Sequence, residues 1–564
     1  MKDRATTDRL LVLALGLLCA FSLFHGLGGA ALFDPDEGRN AEVAREILLL
    51  EDWNTPHYNF LPRLDKPMFF YWLVAFSYRL FGVSEWAARL PSAAAALGCI
   101  VVLFVYARRV FGPWTALWAG LFLATSFEFA VFARAVIVDM SLTFFVTAAL
   151  ALFYLATTGE SPLVRRAFFL AMFAAMGFGT LLKGPVGIAL PGVVIVCYIA
   201  GSRQWFLVRE MGIISGLFTF LAIVVPGYAW LEIHNPGFLR YFLLEENLGR
   251  FFTGRFNRAQ PPYYYIVVLA AGFLPWSLVF LAGAKALLRR ISEKPVLFAA
   301  LWTLAPVALF TLSRSKQPAY ALPSFVPLSI LAAESLVREA RGARAGGLAL
   351  AAPWLAMAGA VWAPIAGAKW ENALTAEAGR VASSLSSGLA PFQLVTLGVL
   401  FVLVGWASWK NARSGPRTLY ASWCAAMILF VGFCQQAAAG VSLSRSSKEA
   451  ARYADAVARS DRPVVIYQAN LAGLPFYLRV RRPVWVVSSR KHTVMGSSYL
   501  ARHGIRDEEF KKIVLTPEEF SRLPSATKKQ LWIFTLPREL SRLRALGPLE
   551  SVTDGSYVRL VTFR

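Results

Sequence analysis

The chain has 564 residues, 57% of them hydrophobic and 16% charged, with a mean hydropathy of +0.52 and a formal net charge of +23. Soluble domains run about 45–50% apolar and about 25% charged, so the apolar excess excludes a large water-soluble protein; 14% aromatic residues likewise exclude intrinsic disorder. The positive surplus fits nucleic acid, anionic lipid or topology-setting loops, and its distribution along the chain decides among them.

A helix crossing the hydrocarbon core needs about 20 mostly apolar residues. Such runs fall near 10–32, 87–107, 114–132, 140–157, 166–182, 185–201, 211–231, 263–284, 296–313, 319–336, 348–366, 391–409 and 419–439. The first run lacks a small-residue cleavage site and reads as a retained helix rather than a signal peptide. Cys19, Cys99, Cys197, Cys424 and Cys434 all sit in apolar runs and read as small core hydrophobes, with no disulfide framework.

The connecting loops orient the spans. With a cytoplasmic amino terminus, alternate segments should be short and basic. They are: Lys2, Arg4 and Arg9, then Arg108 and Arg109, Arg165 and Arg166, Arg203 and Arg209. The series continues with Lys285, Arg289, Arg290 and Lys294, with Arg338, Arg341 and Arg344, and with Lys410, Arg413 and Arg417. The expected topology is N-in and C-out with an odd number of spans. Those 19 cations report orientation, and nucleic acid drops out as a partner.

The opposite face carries the polar motifs. The first loop opens with Phe33-Asp34-Pro35-Asp36-Glu37-Gly38-Arg39-Asn40-Ala41-Glu42. Pro35 and Asp36 suit a helix start, where an acid meets exposed N–H groups. The Asp36–Glu37 acid pair sits at the mouth of the first span, where ionisable groups are costly, which marks Asp36 as a functional candidate. Glu42, Arg45 and Glu46 read as the solvated face of an amphipathic helix lying on the membrane. The loop then reaches His57, which reads as structural, and Asp65-Lys66-Pro67, followed by an aromatic-rich stretch from Met68 to Phe81 that includes Tyr71. A lysine fixed before a proline at headgroup depth is placed to meet a lipid phosphate.

Further along the same face come Arg134 and Asp139, Lys183-Gly184-Pro185, and a long loop with Glu245-Glu246, Arg250, Arg255 and Arg258. Ser313-Arg314-Ser315-Lys316-Gln317-Pro318-Ala319-Tyr320 follows. Each alone reads as loop charge. Together they bring carboxylates and cations to loops able to converge on one cavity, where cations hold a phosphate and a carboxylate accepts a proton. Inside the spans Glu128 is the main charge, which argues against an ion-coupled carrier.

From 441 to 564 the composition changes. Short β-like runs (463–469, 483–487, 512–515, 531–535, 557–563) alternate with helical stretches such as 446–459, giving a small α/β domain. Its 22 Lys/Arg against 11 Asp/Glu leave a net +11 facing anionic headgroups or phosphates. The expected division is residues 1–440 as the membrane domain and 441–564 as an extracytoplasmic domain.

The order of these motifs resembles the integral-membrane GT-C glycosyltransferases, specifically the aminoarabinose (lipid A) transferase and protein O-mannosyltransferase-like group. The matching pieces are Asp36-Glu37-Gly38-Arg39-Asn40-Ala41-Glu42, Asp65-Lys66-Pro67 with Tyr71-Trp72-Leu73, Val138-Asp139, Lys183-Gly184-Pro185 and Lys316-Gln317-Pro318-Ala319-Tyr320. The resemblance implies a mostly α, polytopic bundle of about 13 spans in a bacterial inner membrane, with interfacial helices in the first periplasmic loop and a periplasmic α/β domain. It implies a monomeric, inverting enzyme that takes sugar from a polyprenyl-phosphate donor and passes it to lipid A or another cell-envelope glycan. Asp36 and Asp139, with Glu37, are then the catalytic acids. Lys66, Asp65, Arg39, Tyr71, Lys183, Arg255, Arg258, Lys316 and Tyr320 meet the sugar or the carrier phosphate. No cofactor is called for, with a divalent cation kept as an alternative. Two positions depart from the aminoarabinose enzymes' pattern: Asn40 stands where they have tyrosine, and Asp65 where they have glutamate before the lysine. A protein-hydroxyl acceptor and a lipid-linked sugar flippase are the competing readings.

Overall fold

The computed structural model describes residues 2–159, 161–252, 260–341, 391–410, 416–443, 445–489, 508–553 and 557–564, with isolated helical residues between 351 and 359. By internal contacts the chain divides into two units. One comprises 1–27, 92–227 and 247–437; the other comprises 28–91, 228–246 and 438–564.

The first unit is helical. Its order runs through α1 (Lys2–Phe24) and most of α4 (Glu85–Val110) to α5 (Pro113–Thr125), α6 (Phe127–Ala133), α7 (Val138–Thr157), α8 (Pro162–Lys183) and α9 (Val186–Ser202). Helices over Ile213–His234, Lys294–Leu312, Leu322–Arg341, Pro391–Lys410 and Pro416–Leu443 follow. Among the described residues seven helices are long and apolar enough to cross a membrane. The expected span 348–366 lies largely outside the described residues.

Two expected spans are bent rather than straight. The run at 114–132 turns by 65° between α5 and α6, and the run at 263–284 turns by 112° between Tyr264–Gly272 and Ser277–Arg289. Hydropathy reports a run's length but is blind to a break. At the second bend Gly272 lets the backbone approach Glu128: a Cβ there would lie 2.4 Å from the carboxylate. Glu128 also has company, because Glu334 lies within the span Pro318–Arg338 and is only 2% exposed. Its carboxylate takes Arg338 Nε at 2.6 Å, Thr115 Oγ1 at 2.9 Å and Arg290 at 3.1 Å. Buried charge needs this pairing.

Interlocked rings pack the first unit. Trp118 meets Tyr420 and Trp423 edge-on, and Trp276 stacks on Phe122 and Trp423. A second group joins Tyr106, Tyr154, Tyr198, Phe298 and Trp302.

The second unit combines the first loop with the chain beyond 438. Helix α2 (Asp36–Leu50) carries its acids in its first turn, and α3 (Phe69–Phe81) buries Phe70, Tyr71, Val74, Ala75, Ser77 and Tyr78, a helical stripe. Between them, strands β1 (His57–Tyr58) and β2 (Leu61–Pro62) form a hairpin whose turn residues Asn59 and Phe60 both have positive φ, 56° and 63°.

The C-terminal part forms a six-stranded sheet in the order β5-β4-β3-β6-β8-β7. Its strands are β3 (Val464–Tyr467), β4 (Trp485–Val487), β5 (Val514–Leu515), β6 (Trp532–Thr535), β7 (Leu549–Val552) and β8 (Arg559–Phe563). Strands β5, β4, β3 and β6 are parallel, while β8 and β7 add on antiparallel. Alternate residues feed two cores. Val464, Ile466 and Phe534 face one layer, and Val465, Tyr467 and Ile533 face the other. Phe60 of the first-loop hairpin packs into the former. The five β-like runs read from the sequence all contain strands. The edge strand β7 went unread.

Candidate functional site

Helix α2 is enclosed on nearly every side. Glu42 and Glu46 are wholly buried and Arg45 nearly so, which overturns their reading as a solvated face. The cause is sequence-distant. Arg45 grips Glu42 with two bonds of 2.7 Å and donates a third, also 2.7 Å, to the Val480 carbonyl. Glu46 accepts the backbone N–H groups of Asn59 (2.8 Å) and Phe60 (3.0 Å), satisfying the two donors exposed by the tight turn. Burial and the neighbouring Glu42 push the Glu46 carboxyl well above its ordinary range. The Asn59 side chain completes the joint by exchanging two hydrogen bonds with the backbone of Val484.

The start of α2 is held the same way. Asp34 accepts from Ser447 Oγ and from the Gly473 N–H, each at 2.5 Å, and its own N–H reaches the Arg445 carbonyl. Burial pushes the Asp34 carboxyl up to about 6, with the Ser447 and Gly473 bonds opposing the shift. Gly38 allows the close approach that this needs: a Cβ there would lie 2.4 Å from the Gly473 Cα. Glu37 is locked by Arg89, with two bonds of 2.9 Å, and accepts the Phe33 N–H at 3.0 Å. Arg89 also caps the carbonyls of Ala30 and Ala31.

Asp36 is different. Its side chain is 53% exposed and pairs with Arg39 one turn on. It is therefore the accessible acid of the Asp36–Glu37 pair, whereas Glu37 is committed to holding the loop.

Asp65 and Lys66 emerge from the segment between hairpin and α3. Arg63 donates to Tyr71 Oη at 2.6 Å and pairs with Asp65 at 3.3 Å. Asp65 also accepts from Tyr241 Oη at 2.7 Å, and Lys66 Nζ donates to Glu246 Oε1 at 3.2 Å. Lys66 keeps 22% of its side chain exposed while Glu246 keeps 1%. Tyr241 and Glu246 lie on one π-helix, Tyr241–Leu248. Thr55 to Asn235 and Trp230 to Asn54 tie the chain preceding this helix to the first loop.

In the helical unit a second cation–carboxylate pair is built from local rules. Asp139 lies in the first turn of α7 and Lys183 in the last turn of α8, the ends where helix dipoles favour an acid and a base respectively. The two form an ion pair. Gly184, at φ 83°, ends α8, and Pro185 caps α9. The turn is tight enough that a Cβ on Gly187 would lie 2.2 Å from the Gly179 carbonyl carbon. Lys183 Nζ also lies 4.2 Å from the centre of the Tyr320 ring. Lys316 turns to the Ser313 carbonyl at 2.9 Å, and Arg134 to the carbonyls of Ser22, Leu23 and His25 at the end of α1.

Structure thus joins Asp36 with Arg39, Asp65 with Tyr71 through Arg63, and Asp139 with Lys183 and Tyr320. Arg255 and Arg258 lie outside the described residues. Arg63, Arg89 and Tyr241 were not singled out by motif, and Asp34 and Glu246 were read only within charged loop runs. An arginine in the first turns of an otherwise apolar span was the one available signal, at Arg89.

Several known proteins are similar to the chain. The family described as Dolichyl-phosphate-mannose-protein mannosyltransferase matches residues 65–230. The undecaprenyl phosphate-alpha-4-amino-4-deoxy-L-arabinose arabinosyl transferase of Pseudomonas paraeruginosa is 30% identical over 330 residues, 58% of this chain and 60% of that protein. The enzyme of the same name from Edwardsiella ictaluri is 32% identical over 310 residues, 54% of this chain and 56% of that one. The aligned stretch thus spans under two thirds of these relatives' length. The crystal structure of ArnT from Cupriavidus metallidurans bound to undecaprenyl phosphate superposes with a TM-score of 0.80 at 28% identity, over 98% of this chain and 97% of that one. The apo oligosaccharyltransferase of Archaeoglobus fulgidus shares the fold alone, with a TM-score of 0.51 at 13% identity over 95% of this chain and 71% of that one.

Proposed function

We propose that this chain, a member of the GT-C integral-membrane glycosyltransferases of the aminoarabinose-transferase group, moves a sugar from a polyprenyl-phosphate carrier to an acceptor on the extracytoplasmic face of a bacterial inner membrane. The observation that carries the reading is the superposition along nearly the whole of both chains with an ArnT that holds undecaprenyl phosphate. The basic alternate loops support the orientation, and with it an outward-facing C-terminal domain.

The reaction is a displacement at the anomeric carbon. An acceptor oxygen forms the new glycosidic bond as the bond to the carrier phosphate breaks, and polyprenyl phosphate leaves with the electron pair. Lys66 meets that phosphate, since a partly exposed ammonium on a segment held by Arg63, Tyr71 and Tyr241 is preorganised to stabilise charge as it develops. Asp36, the accessible acid of α2, orients the sugar. When the acceptor is a hydroxyl, Asp36 also takes its proton. When the acceptor is a phosphate of lipid A, the nucleophile is already ionised and no base is required. Asp65 and Tyr71 hold Arg63 and set the turn from which Lys66 projects. Asp139, Lys183 and Tyr320 form a supporting cluster, and Arg39 tunes Asp36. The match to the mannosyltransferase family favours a protein hydroxyl as the second choice of acceptor.

Purified protein with undecaprenyl-phosphate-linked aminoarabinose and lipid A, followed by mass spectrometry, tests the reading. Wild-type protein should add the sugar's mass to the acceptor. Asp36→Asn and Lys66→Ala should each lower transfer at least about 100-fold, in the range seen when a charge-stabilising group is removed. Movement of lipid across liposomes with no transfer to any acceptor would replace the enzyme by a flippase.

A further inference from the structure

Glu246 places a buried carboxylate on the lysine that the carrier phosphate needs. Two features show that the contact is constructed. Tyr241 and Glu246 are five residues apart, and both engage the Asp65-Lys66 dipeptide, at 2.7 and 3.2 Å. In an α-helix, residues five apart point about 140° away from each other. A π-helix bonds i to i+5 and brings them onto one face, and the segment carrying these two residues is π-helical. A carboxylate this buried also demands a cation, and it finds Lys66, with Arg63 close enough to feel its charge.

We infer that Glu246 governs release of the product: its carboxylate shares Lys66 with the lipid phosphate and selects against the phosphomonoester product relative to the phosphodiester donor. The inference rests on the transferase reading above. The donor phosphate is a diester with one negative charge. Once the sugar has gone, the carrier is a monoester carrying about −1.5 to −2 near neutral pH. Repulsion from a fixed carboxylate scales with the charge brought beside it, so Glu246 penalises the product more than the donor. Without it, Lys66 and Arg63 would hold the dianion the more firmly of the two. Glu246 acts through Lys66 and is a positioning residue.

The test measures the affinity of the full-length protein in detergent for undecaprenyl phosphate and for its methyl phosphodiester. Glu246→Gln keeps size and hydrogen-bonding capacity and removes the charge. The expected result is a monoester-to-diester affinity ratio raised roughly tenfold, with matching product inhibition and a lower kcat at an unraised KM. Glu246→Asp withdraws the charge by one methylene and should shift the ratio in the same direction by less, which keeps a measurement available if the glutamine variant does not fold. Equal weakening of both lipids, with the ratio unchanged, would show that Glu246 merely props Lys66 and would overturn the inference while leaving the transferase reading intact. Wild-type protein that binds neither lipid would overturn both.

Discussion

Helix α2 and the α7–α8 hairpin both present an acid beside a base, and they hold those charges by opposite means. Around α2 several fixed charges are met by partners outside the helix: Asp34 by Ser447 and Gly473, Arg45 by Val480 as well as by Glu42 one turn back, Glu37 by Arg89. In the hairpin, Asp139 and Lys183 are placed by helix ends, a left-handed glycine and a close glycine contact. Charges of the first kind are components of the fold, and removing one strands its partner away from water. Charges of the second kind sit where dipoles already support them, so their loss should register in chemistry before stability.

The sharpest test of that contrast pairs Arg89→Met with Lys183→Met. Arg89→Met leaves Glu37 buried without its cation and should cost about 3–5 kcal/mol, read as a large drop in thermal unfolding temperature in detergent. Lys183→Met should cost only about 1–2 kcal/mol yet abolish measurable transfer. Equal destabilisation by the two would erase the distinction. Gly38→Ala comes next. Its methyl meets the Gly473 backbone and should cost about 1–3 kcal/mol through overpacking, with transfer reduced because the α2 start carrying Asp36 must shift. Alanine at exposed Gly82, around which the structure leaves open space but whose φ is 79°, separates backbone strain from crowding.

A further test of the α2 region is a pH dependence. Asp34 has its folded pKa raised from 3.8 to about 6, so the folded state pays for the charged form above that value. The penalty is fully present above pH 6 and is relieved as pH falls from about 6 towards 4, where the folded carboxyl binds a proton before the unfolded one does. Wild-type protein should therefore gain stability relative to Asp34→Asn across that window. A difference between the two that stays flat from pH 7 to 4 would mean that the Ser447 and Gly473 bonds fully offset burial.

Much of this molecule was legible in advance. Twelve of the thirteen apolar runs overlap described helices, two of them as bent pairs, and seven of those helices are long and apolar enough to cross a membrane, because the length of an apolar run is a local quantity. The α2 and α3 helices and five strands of the sheet followed from periodicity for the same reason. The bends at 126 and 273–276 escaped, since a kink costs the hydropathy of a run nothing. Glu42, Arg45 and Glu46 were misread because a charged helix beside a membrane looks solvated until something else covers it. Asp65 and Lys66 were legible as a motif. The pairing of Arg63, Tyr241 and Glu246 with them was not, because a partner's identity depends on which elements pack together.

By itself the sequence determined a polytopic membrane protein, and its loop charges and motifs gave the expected orientation and the acids and lysine proposed for the site. Composition and spacing suffice for that, since the hydrocarbon core and the helix dipole act on a few consecutive residues. Tertiary structure alone decided which charges are accessible. Asp36 is exposed while Glu37, Glu42 and Glu46 are buried, and Lys66 arrives already paired with Glu246. The cost of a buried charge depends on partners 180 or more than 400 residues away, and no local pattern contains them.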